Sequence, residues 1–419
     1  MTRALAIIDG EHYLSTVTDA LEELPFEFVA AHLVGGTEKL RGGEDYGVPV
    51  VSSLEGAIAE LEPEVVIDLS DEPVLGPRER LRVASQVLAR GLPYVGSDFR
   101  FDPPELAPFP RPSLSVIGTG KRVGKTAVTG HVARLLARDR DVVVVAMGRG
   151  GPPEPEVAEV VPTLERLLEL SRAGHHAASD YLETAALAGV VTIGCRRCGG
   201  GLAGSPGESN VLAGAALAAE REPDLVIFDG SGAAIPPVDT GARVLVTSAS
   251  QPAEVSTGYL NAYRILVSDL VVVTGGVDER LVEAIHEVRE LPVVSVELRP
   301  RPVTPVMGRR VAYFSTAPAA AHAEIERHLR EEHGAEVVLV SGNLARRGAL
   351  SEELSRVDAE LYLVEIKAAA IDVVAEAALE RGVDVGFADN ELVPVGVHDL
   401  DVELVRLADA AAAREVVPR

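Results

Sequence analysis

Residues 118–126 are the feature that most constrains the fold of this chain. They read Gly-Thr-Gly-Lys-Arg-Val-Gly-Lys-Thr, follow the apolar run 114–117 and precede the helical pattern of residues 127–138. A glycine-rich loop between a strand and a helix turns backbone N–H groups toward one point, at the positive end of the helix. The pattern therefore predicts a phosphate-binding loop, with Lys125 on the outer phosphates and Thr126 on magnesium.

The loop is a variant of the standard pattern G-x-x-x-x-G-K-[ST], because Thr119 stands where that pattern has its first glycine. The alternative is a glycine-rich turn between strand and helix that binds nothing. Strand, loop and helix follow in the order that the motif requires, which favours a nucleoside triphosphate. The residues expected to contact the nucleotide are Thr119, Gly120, Val123, Gly124, Lys125, Thr126 and Ala127.

The composition of the chain argues against several classes of protein. The chain has 419 residues, of which 47% are hydrophobic, enough for two or three globular domains. Its formal charge of -25 argues against general nucleic-acid binding, since the average surface would repel a phosphate backbone. We find no signal-peptide pattern and no apolar segment of membrane-spanning length, so we expect a cytoplasmic protein without membrane contact. With only Cys195 and Cys198, a disulfide framework is excluded.

Three stretches of this acidic chain contain no Asp or Glu, namely residues 106–138, 184–207 and 298–323. Each of them contains arginines, and the first also contains lysines. Such local positive regions are where anions would be attracted. Part of each stretch has a simpler explanation, because acidic residues avoid buried strands and tight turns.

Short apolar runs rich in valine alternate with helical patterns along the chain. This alternation predicts an α/β fold with parallel sheets covered by helices. We expect a central phosphate-loop domain with a parallel sheet at residues 111–305, flanked by two smaller Rossmann-like α/β domains at residues 1–110 and 306–419. Proline-rich stretches mark both boundaries. The expected central strands are residues 142–147, 190–193, 225–228, 244–248 and 270–274.

Two loops that follow expected strands carry polar residues. Asp229 begins the sequence Asp-Gly-Ser-Gly and suits magnesium, bound directly or through water, although Asp before Gly is also a common turn. Arg149, in Met-Gly-Arg-Gly-Gly-Pro, should reach the same edge of the sheet, where its guanidinium could bind two oxygen atoms of an anion. A flexible turn with a solvated arginine is the alternative for that segment.

Residues 194–201, Gly-Cys-Arg-Arg-Cys-Gly-Gly-Gly, allow three interpretations. Cys195 and Cys198 have the spacing of half a zinc site or of a redox pair, but no second pair completes a four-thiolate site. A zinc ion shared across a dimer stays open. The third interpretation is an anion pocket, in which Arg196 and Arg197 form a fork beside a glycine nest. We favour this pocket, because three glycines suit a nest better than a thiolate site.

Two further residues are weaker candidates for the substrate. His176 precedes a helical pattern and could face a phosphate. Lys367 follows the strand pattern of residues 361–365, at the end of which a lysine is usually solvated.

Taken together, six segments make the chain similar to the cyclic 2,3-diphosphoglycerate synthetase family. They read G-T-G-K-R-V-G-K-T, A-M-G-R-G-G-P, H-A-A-S-D, T-I-G-C-R-R-C-G-G-G, D-G-S-G-A-A-I-P-P and E-I-K-A-A-A-I-D-V. The resemblance is strong over residues 113–237 and 365–373 and weaker in the N-terminal part. The central domain also resembles the dethiobiotin synthetase type of phosphate-loop enzyme.

The family resemblance implies that ATP, with Mg²⁺, drives the joining of the two phosphates of 2,3-bisphosphoglycerate into an intramolecular anhydride. The implied partner is this small phosphorylated molecule. The implied catalytic residues are Lys121, Arg122, Lys125, Arg149 and Arg197. The implied substrate-binding residues are Arg149, His176, Arg196, Arg197, Gly199, Gly200, Ser231 and Lys367.

Thr126 and Asp229 would hold the metal ion. Asp229 stands where members of the family commonly have Glu before Gly, and its shorter side chain favours a water molecule between carboxylate and metal. An acid-rich surface with apolar strands in both flanking domains is compatible with a homodimer, which we expect. Two alternative functions stay open: a carboxylate ligase of the dethiobiotin synthetase type, and an NTPase switch regulated by metal or redox at Cys195 and Cys198.

Overall fold

The computed structural model describes residues 1–159, 180–365, 371–396 and 398–414. Strands and helices alternate along these ranges, which confirms the α/β class. The strands are β1 (Thr2–Ile8), β2 (Phe26–Leu33), β3 (Val50–Val51), β4 (Val65–Asp68), β5 (Tyr94–Val95), β6 (Arg100–Phe101), β7 (Ser113–Gly118), β8 (Val142–Gly148), β9 (Glu156–Ala158), β10 (Val191–Cys198), β11 (Glu208–Ser209), β12 (Leu225–Asp229), β13 (Ala242–Ser248), β14 (Leu270–Thr274), β15 (Val293–Pro302), β16 (Arg310–Phe314), β17 (Glu336–Ser341), β18 (Leu361–Glu365) and β19 (Asp384–Val395).

The helices are α1 (Leu14–Glu23), α2 (Leu54–Leu61), α3 (Pro77–Ala89), α4 (Lys125–Leu136), α5 (Asp180–Ala188), α6 (Val211–Glu220), α7 (Ala253–Thr257), α8 (Asn261–Leu266), α9 (Glu279–His286), α10 (His322–Glu331), α11 (Arg347–Arg356), α12 (Ile371–Arg381) and α13 (Leu400–Ala413). A short 3₁₀ helix, Ala319–Ala321, precedes α10. Within the described ranges, none of these helices combines the length and the apolar character that crossing a bilayer requires.

The N-terminal unit contains a 6-stranded sheet in the order β3-β2-β1-β4-β5-β6. Its strand pairs are parallel, except that β6 runs antiparallel to β5. Helix α3 packs against α8 of the central unit, and one apolar core contains Leu5 and Leu88 together with Tyr263. The N-terminal unit is therefore fixed against the central unit by shared side-chain packing.

The phosphate-loop strand β7 lies inside a 13-stranded sheet with the order β11-β10-β8-β12-β7-β13-β14-β15-β19-β18-β16-β17, to which β9 adds beside β10. From β10 to β15 along this order, neighbouring strands are parallel. All residues of β7, β8, β12 and β14 are buried, which explains their continuous apolar character. The loops that follow these strands meet at one edge of the sheet, where parallel sheets bind ligands.

The third unit continues the same sheet. Strand β19 pairs antiparallel with β15 and parallel with β18, so the strand direction reverses at this point. Strand β15 extends to Pro302, through part of the proline-rich stretch that the sequence analysis assigns to a boundary. Hydrogen bonds between β15 and β19 thus join the second and third parts into one sheet. The division of the chain at residues 1–110, 111–305 and 306–419 stays a prediction.

Helix α13 packs on the central unit, where it contacts β7, β13 and α4. Its side chains Leu400, Leu404 and Leu407 are buried in the core that also contains Val128 and Val132 of α4. No helix is predicted for this segment from the sequence. The helix that ends the described chain therefore packs beside the phosphate-loop helix and shares a core with it.

We predict that Leu404→Ala lowers the free energy of unfolding by about 3 kcal/mol, because a fully buried leucine is replaced and a cavity remains. Urea unfolding of the full chain would measure the loss. The control is Val405→Ala on the same helix, where the side chain is 38% exposed and the loss should stay below about 0.5 kcal/mol. Equal losses for the two variants would contradict this packing.

Candidate active site

The phosphate loop connects β7 directly to α4. Gly124 precedes the helix with φ +84°, a left-handed conformation that favours glycine. A Cβ atom on Gly124 would also lie 2.8 Å from Cγ2 of Thr274. The Thr274 hydroxyl in turn donates to the Val123 carbonyl at 2.9 Å. The loop is thus held against the end of β14 by contacts that leave no space for a larger residue at position 124.

Thr119 anchors the start of the loop. Its backbone N–H donates to the Val246 carbonyl at 3.0 Å, and its hydroxyl lies 2.7 Å from Oε1 of Gln251 and 3.0 Å from the Thr247 hydroxyl. Asn261 Nδ2 donates to the Thr119 carbonyl at 3.2 Å. The side chain expected to contact the nucleotide is therefore engaged within the protein and only 5% exposed. Its contact with nucleotide stays a prediction, and the backbone is the part that could make it.

Lys125, the first residue of α4, and Asp229, the last residue of β12, form an ion pair at the carboxyl edge of the sheet. Lys125 Nζ lies 2.5 Å from Asp229 Oδ1, and the Thr129 hydroxyl donates to the same oxygen at 2.7 Å. The lysine side chain is 9% exposed and the aspartate is fully buried. The residues that the sequence analysis assigns to phosphate and to metal are therefore in direct contact.

The second oxygen of Asp229, Oδ2, is buried without a hydrogen-bond partner. Such an oxygen beside a phosphate loop fits the donor set of Mg²⁺, which binds one or two carboxylates together with phosphates and water. Thr126, on the first turn of α4, is only partly buried. Over the described residues, no group of three or more His, Cys, Asp and Glu side chains is arranged to hold a metal ion, so a dedicated protein cage is absent there.

Three cationic side chains converge on Gly232, in the loop that follows β12. A Cβ atom on Gly232 would lie 2.9 Å from Arg149 Nη2, 3.7 Å from Arg197 Nη2 and 3.8 Å from Lys121 Cγ. We call Lys121, Arg149 and Arg197 the cation cluster. Their elements β7, β8 and β10 lie in one parallel stretch of sheet, so their carboxyl ends bring these residues together.

Arg197 is fixed by backbone carbonyls. Its Nη2 donates to the Ser231 carbonyl at 2.8 Å, and its Nη1 donates to the Gly199 carbonyl. A Cβ atom on Gly200 would lie 3.5 Å from the same Nη1. Ser231 is itself buried and exchanges backbone hydrogen bonds with Ala234. The structure thus brings together four of the residues expected to bind substrate, Arg197, Gly199, Gly200 and Ser231.

Arg196 and Arg197 do not form the expected fork. Strand β10 extends to Cys198, five residues beyond the strand expected from the sequence, and neighbouring side chains of a strand point to opposite faces. Arg196 is directed toward Glu208, with Nη2 3.9 Å from Oε1, and its backbone N–H donates to Asn210. The arginine pair is divided between the two faces of the sheet because the segment is extended. A role of Arg196 in substrate binding stays a prediction.

Other residues of the phosphate loop are open to solvent. Lys121 and Arg122 are both exposed, and Arg122 adopts φ +61°, which is uncommon for a residue other than glycine. Such backbone conformations concentrate at functional sites. Gly120 and Ala127 lie beside them at the end of β7 and in the first turn of α4.

The redox interpretation of the cysteine pair is wrong for this geometry. Residues three apart on a strand are separated by about 10 Å, whereas a disulfide requires Cα atoms within about 7 Å. Cys195 is buried against α6, and burial raises the pKa of its thiol to about 12, whereas Cys198 is exposed. The thiol of Cys195 is therefore protonated at neutral pH, and the protonated form does not attack disulfides. The zinc interpretation stays untested, and among the described residues no group of three or more His, Cys, Asp and Glu side chains is arranged to hold a metal ion.

Two expected substrate residues, His176 and Lys367, lie outside the described residues. Two buried residues of the site were missed by the sequence analysis, namely Asn261 and Arg264. Both lie on α8, in the mostly apolar sequence Asn-Ala-Tyr-Arg-Ile-Leu. The sequence signal that could have indicated them is Arg264 within a mostly apolar helix. A charged side chain is seldom buried without a structural or functional reason.

The fold and this site define the class of protein: a phosphate-loop nucleotide-binding α/β protein. Comparison with protein-family models then gives the family. The P-loop domain of cyclic 2,3-diphosphoglycerate synthetase matches residues 113–298, the C-terminal domain matches residues 302–391 and the N-terminal domain matches residues 3–102. The chain belongs to the cyclic 2,3-diphosphoglycerate synthetase family, which confirms the resemblance found in the sequence.

Relatives named cyclic 2,3-diphosphoglycerate synthetase match nearly the full length of the chain. The protein of Rubrobacter xylanophilus is 53% identical, with 98% of this chain and 98% of the relative covered. The protein of Thermococcus gammatolerans is 43% identical, with 98% of each chain covered. The protein of Thermococcus kodakarensis is 42% identical, with 98% of this chain and 99% of the relative covered.

We predict that iodoacetamide at mildly alkaline pH alkylates Cys198 in the native protein and leaves Cys195 unmodified, because the Cys195 thiol is buried and its pKa is raised. Peptide mass spectrometry would assign the adducts. Both cysteines should react after denaturation in urea, which serves as the control. Equal modification of the two thiols in the native protein would show that the pair is accessible as a unit.

Proposed function

We propose that this chain uses ATP to cyclise 2,3-bisphosphoglycerate to cyclic 2,3-diphosphoglycerate, with release of ADP and phosphate. The observation that carries the proposal is the convergence of Lys121, Arg149 and Arg197 on Gly232, next to the phosphate loop. Membership of the family supports it, since the family models match residues 3–102, 113–298 and 302–391. The proposal includes a homodimer in the cytoplasm.

Charge neutralisation is the main requirement of this reaction. The substrate carries two phosphates and a carboxylate, and ATP adds three phosphates, so the reacting groups repel one another strongly. The chain as a whole has a formal charge of -25 and would add to this repulsion. The cation cluster supplies local positive charge at the place where the two ligands would meet.

In the proposed chemistry, an oxygen of one substrate phosphate attacks the γ-phosphorus of ATP and the bond to ADP breaks. The second substrate phosphate then attacks the phosphorus atom that carries the new mixed anhydride. This closes the ring and expels inorganic phosphate, so the phosphoryl group received from ATP leaves in the second step. No covalent bond to the protein is required.

The protein's contribution is alignment and charge stabilisation, since phosphate oxygens are ionised nucleophiles at neutral pH and need no general base. Lys125 would exchange Asp229 for the outer phosphates of ATP, while Lys121 and Arg122 neutralise the phosphoryl group in transfer. Arg149 and Arg197 would hold the substrate phosphates, and the guanidinium of Arg197 is already fixed by the carbonyls of Gly199 and Ser231.

Asp229 and Thr126 would hold Mg²⁺. The buried Oδ2 of Asp229 supports this assignment, because it has no other partner in the described structure. When bound, Mg²⁺ neutralises charge on the β- and γ-phosphates. Thr129 would keep the carboxylate of Asp229 in place when Lys125 exchanges it for the phosphates.

Phosphorus NMR of a single turnover tests the proposal. Enzyme in excess over 2,3-bisphosphoglycerate, with ATP and Mg²⁺, should give the cyclic anhydride, ADP and phosphate in equal amounts. Lys125→Met should abolish all three signals, because the phosphate loop loses its lysine. An acyl phosphate on the substrate carboxylate, without cyclic product, would instead favour a ligase of the dethiobiotin synthetase type. Absence of either product with a folded enzyme would refute the cyclisation.

We predict that Gly232→Ala raises the KM for 2,3-bisphosphoglycerate by about 10- to 100-fold, the scale expected for a displacement of about 1 Å. The new methyl group would lie 2.9 Å from Arg149 Nη2 and push the cation cluster apart. The KM for ATP should change much less. Steady-state kinetics with each substrate varied in turn would measure both effects.

Gly91→Ala is the matched control. Gly91 and Gly232 both have positive φ, at +77° and +59°, so alanine strains the backbone at either position. A Cβ atom on Gly91 meets no other atom within 4 Å, and the residue lies in the N-terminal unit. If Gly91→Ala raised the KM for the bisphosphate as much as Gly232→Ala, the effect would come from strain and not from the cation cluster.

A further inference from the structure

Arg264 is a buried arginine whose acceptors are all neutral oxygen atoms. The residue is 2% exposed. Its Nε and Nη2 donate to the Ala233 carbonyl at 2.9 and 2.6 Å, and its Nη1 contacts the carbonyls of Leu202 and Leu260 at 3.1 and 3.0 Å. Asn261 Oδ1 lies 3.1 Å from the same Nη1. The guanidinium therefore binds four acceptors.

These acceptors belong to separate segments of the candidate active site. Ala233 directly follows Gly232, on which the cation cluster converges, and Leu202 directly follows the glycine segment that contacts Arg197. Asn261 also donates to the Thr119 carbonyl in the phosphate loop. Arg264 thus connects the loop after β12 with the loop after β10, and connects both with the phosphate loop through Asn261.

A second contact joins the same two loops. The Ile235 N–H donates to the Gly204 carbonyl at 2.8 Å, beside the carbonyls that Arg264 binds. Arg264 and this hydrogen bond fix residues 231–235 against residues 199–204. The position of the Ser231 carbonyl, which receives the Arg197 guanidinium, follows from this arrangement.

An arginine is a costly choice at such a position if it only fills space. Burial lowers the pKa of Arg264 to about 10, so the side chain is still charged at neutral pH and its desolvation is not offset by a carboxylate among these acceptors. A hydrophobic side chain of similar volume would fill the core at lower cost. A planar group with five donors can hold several carbonyls in one fixed geometry, which a hydrophobic side chain cannot do.

We propose that Arg264 is the positioning residue that holds the Gly232 loop, and with it the cation cluster, at a fixed distance from the phosphate loop. The substrate assignment in this inference rests on the proposed function. Arg264 acts through Ala233 and Leu202 and does not itself reach the reacting groups. Its loss shifts the anion site relative to ATP, because the two loops are then joined by the Ile235 hydrogen bond and by Arg197, which donates to the Gly199 and Ser231 carbonyls.

The kinetic test compares Arg264→Lys with Arg243→Lys. Burial also lowers the pKa of Arg243, and its side chain donates to the Val267 carbonyl. Arg243 lies at the start of β13, however, at the edge of the sheet opposite the candidate active site. Lysine keeps the charge in both variants and loses the planar set of donors. We expect Arg264→Lys to raise the KM for 2,3-bisphosphoglycerate by about 10- to 100-fold and to leave the KM for ATP near the wild-type value. In Arg243→Lys, both KM values should stay near wild type. Equal kinetic effects in the two variants would overturn the proposal.

Hydrogen exchange supplies a readout that needs no substrate. The amides of Gly204, Ala234 and Ile235 donate to backbone carbonyls within or between the two loops. In Arg264→Lys they should exchange at least tenfold faster than in wild type, and in Arg243→Lys at the wild-type rate. Unchanged exchange in Arg264→Lys would overturn the positioning role. A wild-type enzyme that forms no cyclic product would refute the proposed function and leave this result valid.

The wild-type chain alone also decides the question if Arg264→Lys does not fold. A shared clamp requires that the amides of Gly204, Ala234 and Ile235 exchange with one common opening free energy, since the two loops are released together. Independent opening of the two loops in the wild-type protein would contradict the inference.

Discussion

The ion pair between Lys125 and Asp229 is the contact on which the candidate active site depends. Both groups are removed from water, and burying a charge is costly unless a partner charge or hydrogen bonds compensate for the lost hydration. Thr129 completes the arrangement at one carboxylate oxygen and leaves the other buried without a partner. In the proposed function, Lys125 exchanges this partner for phosphate, and the second carboxylate oxygen of Asp229 accepts the cation.

An acidic protein can bind polyanions when its positive charge is concentrated. The formal charge of -25 is distributed over the chain, while Lys121, Arg149 and Arg197 lie together around a glycine that leaves space between them. Electrostatic energy falls with distance and is screened by salt, so nearby charges outweigh the remote ones. Arg264 adds a buried positive charge behind the same loop, bound to neutral oxygens.

The continuous sheet explains how three units form one framework. Strands β10 to β15 bring their carboxyl ends to one edge, and the antiparallel pair of β15 and β19 joins the third unit without a break in hydrogen bonding. Helix α13 then returns to pack beside α4, and the N-terminal unit shares a core with α8. The elements that carry the phosphate loop and Arg264 are thus both supported by parts of the chain that are distant in sequence.

The sequence alone was sufficient for the α/β class, the phosphate loop, the buried strands and the family, because these depend on local patterns: valine runs, a glycine loop between strand and helix, and short motifs. It also indicated that Asp229 and Arg149 follow strands of one sheet. Only the tertiary structure separated Arg196 from Arg197, since this depends on how far β10 extends, and only it showed that Cys195 is buried. The convergence on Gly232 and the clamp at Arg264 were decided by tertiary structure as well, because both depend on contacts between segments that are far apart in the chain.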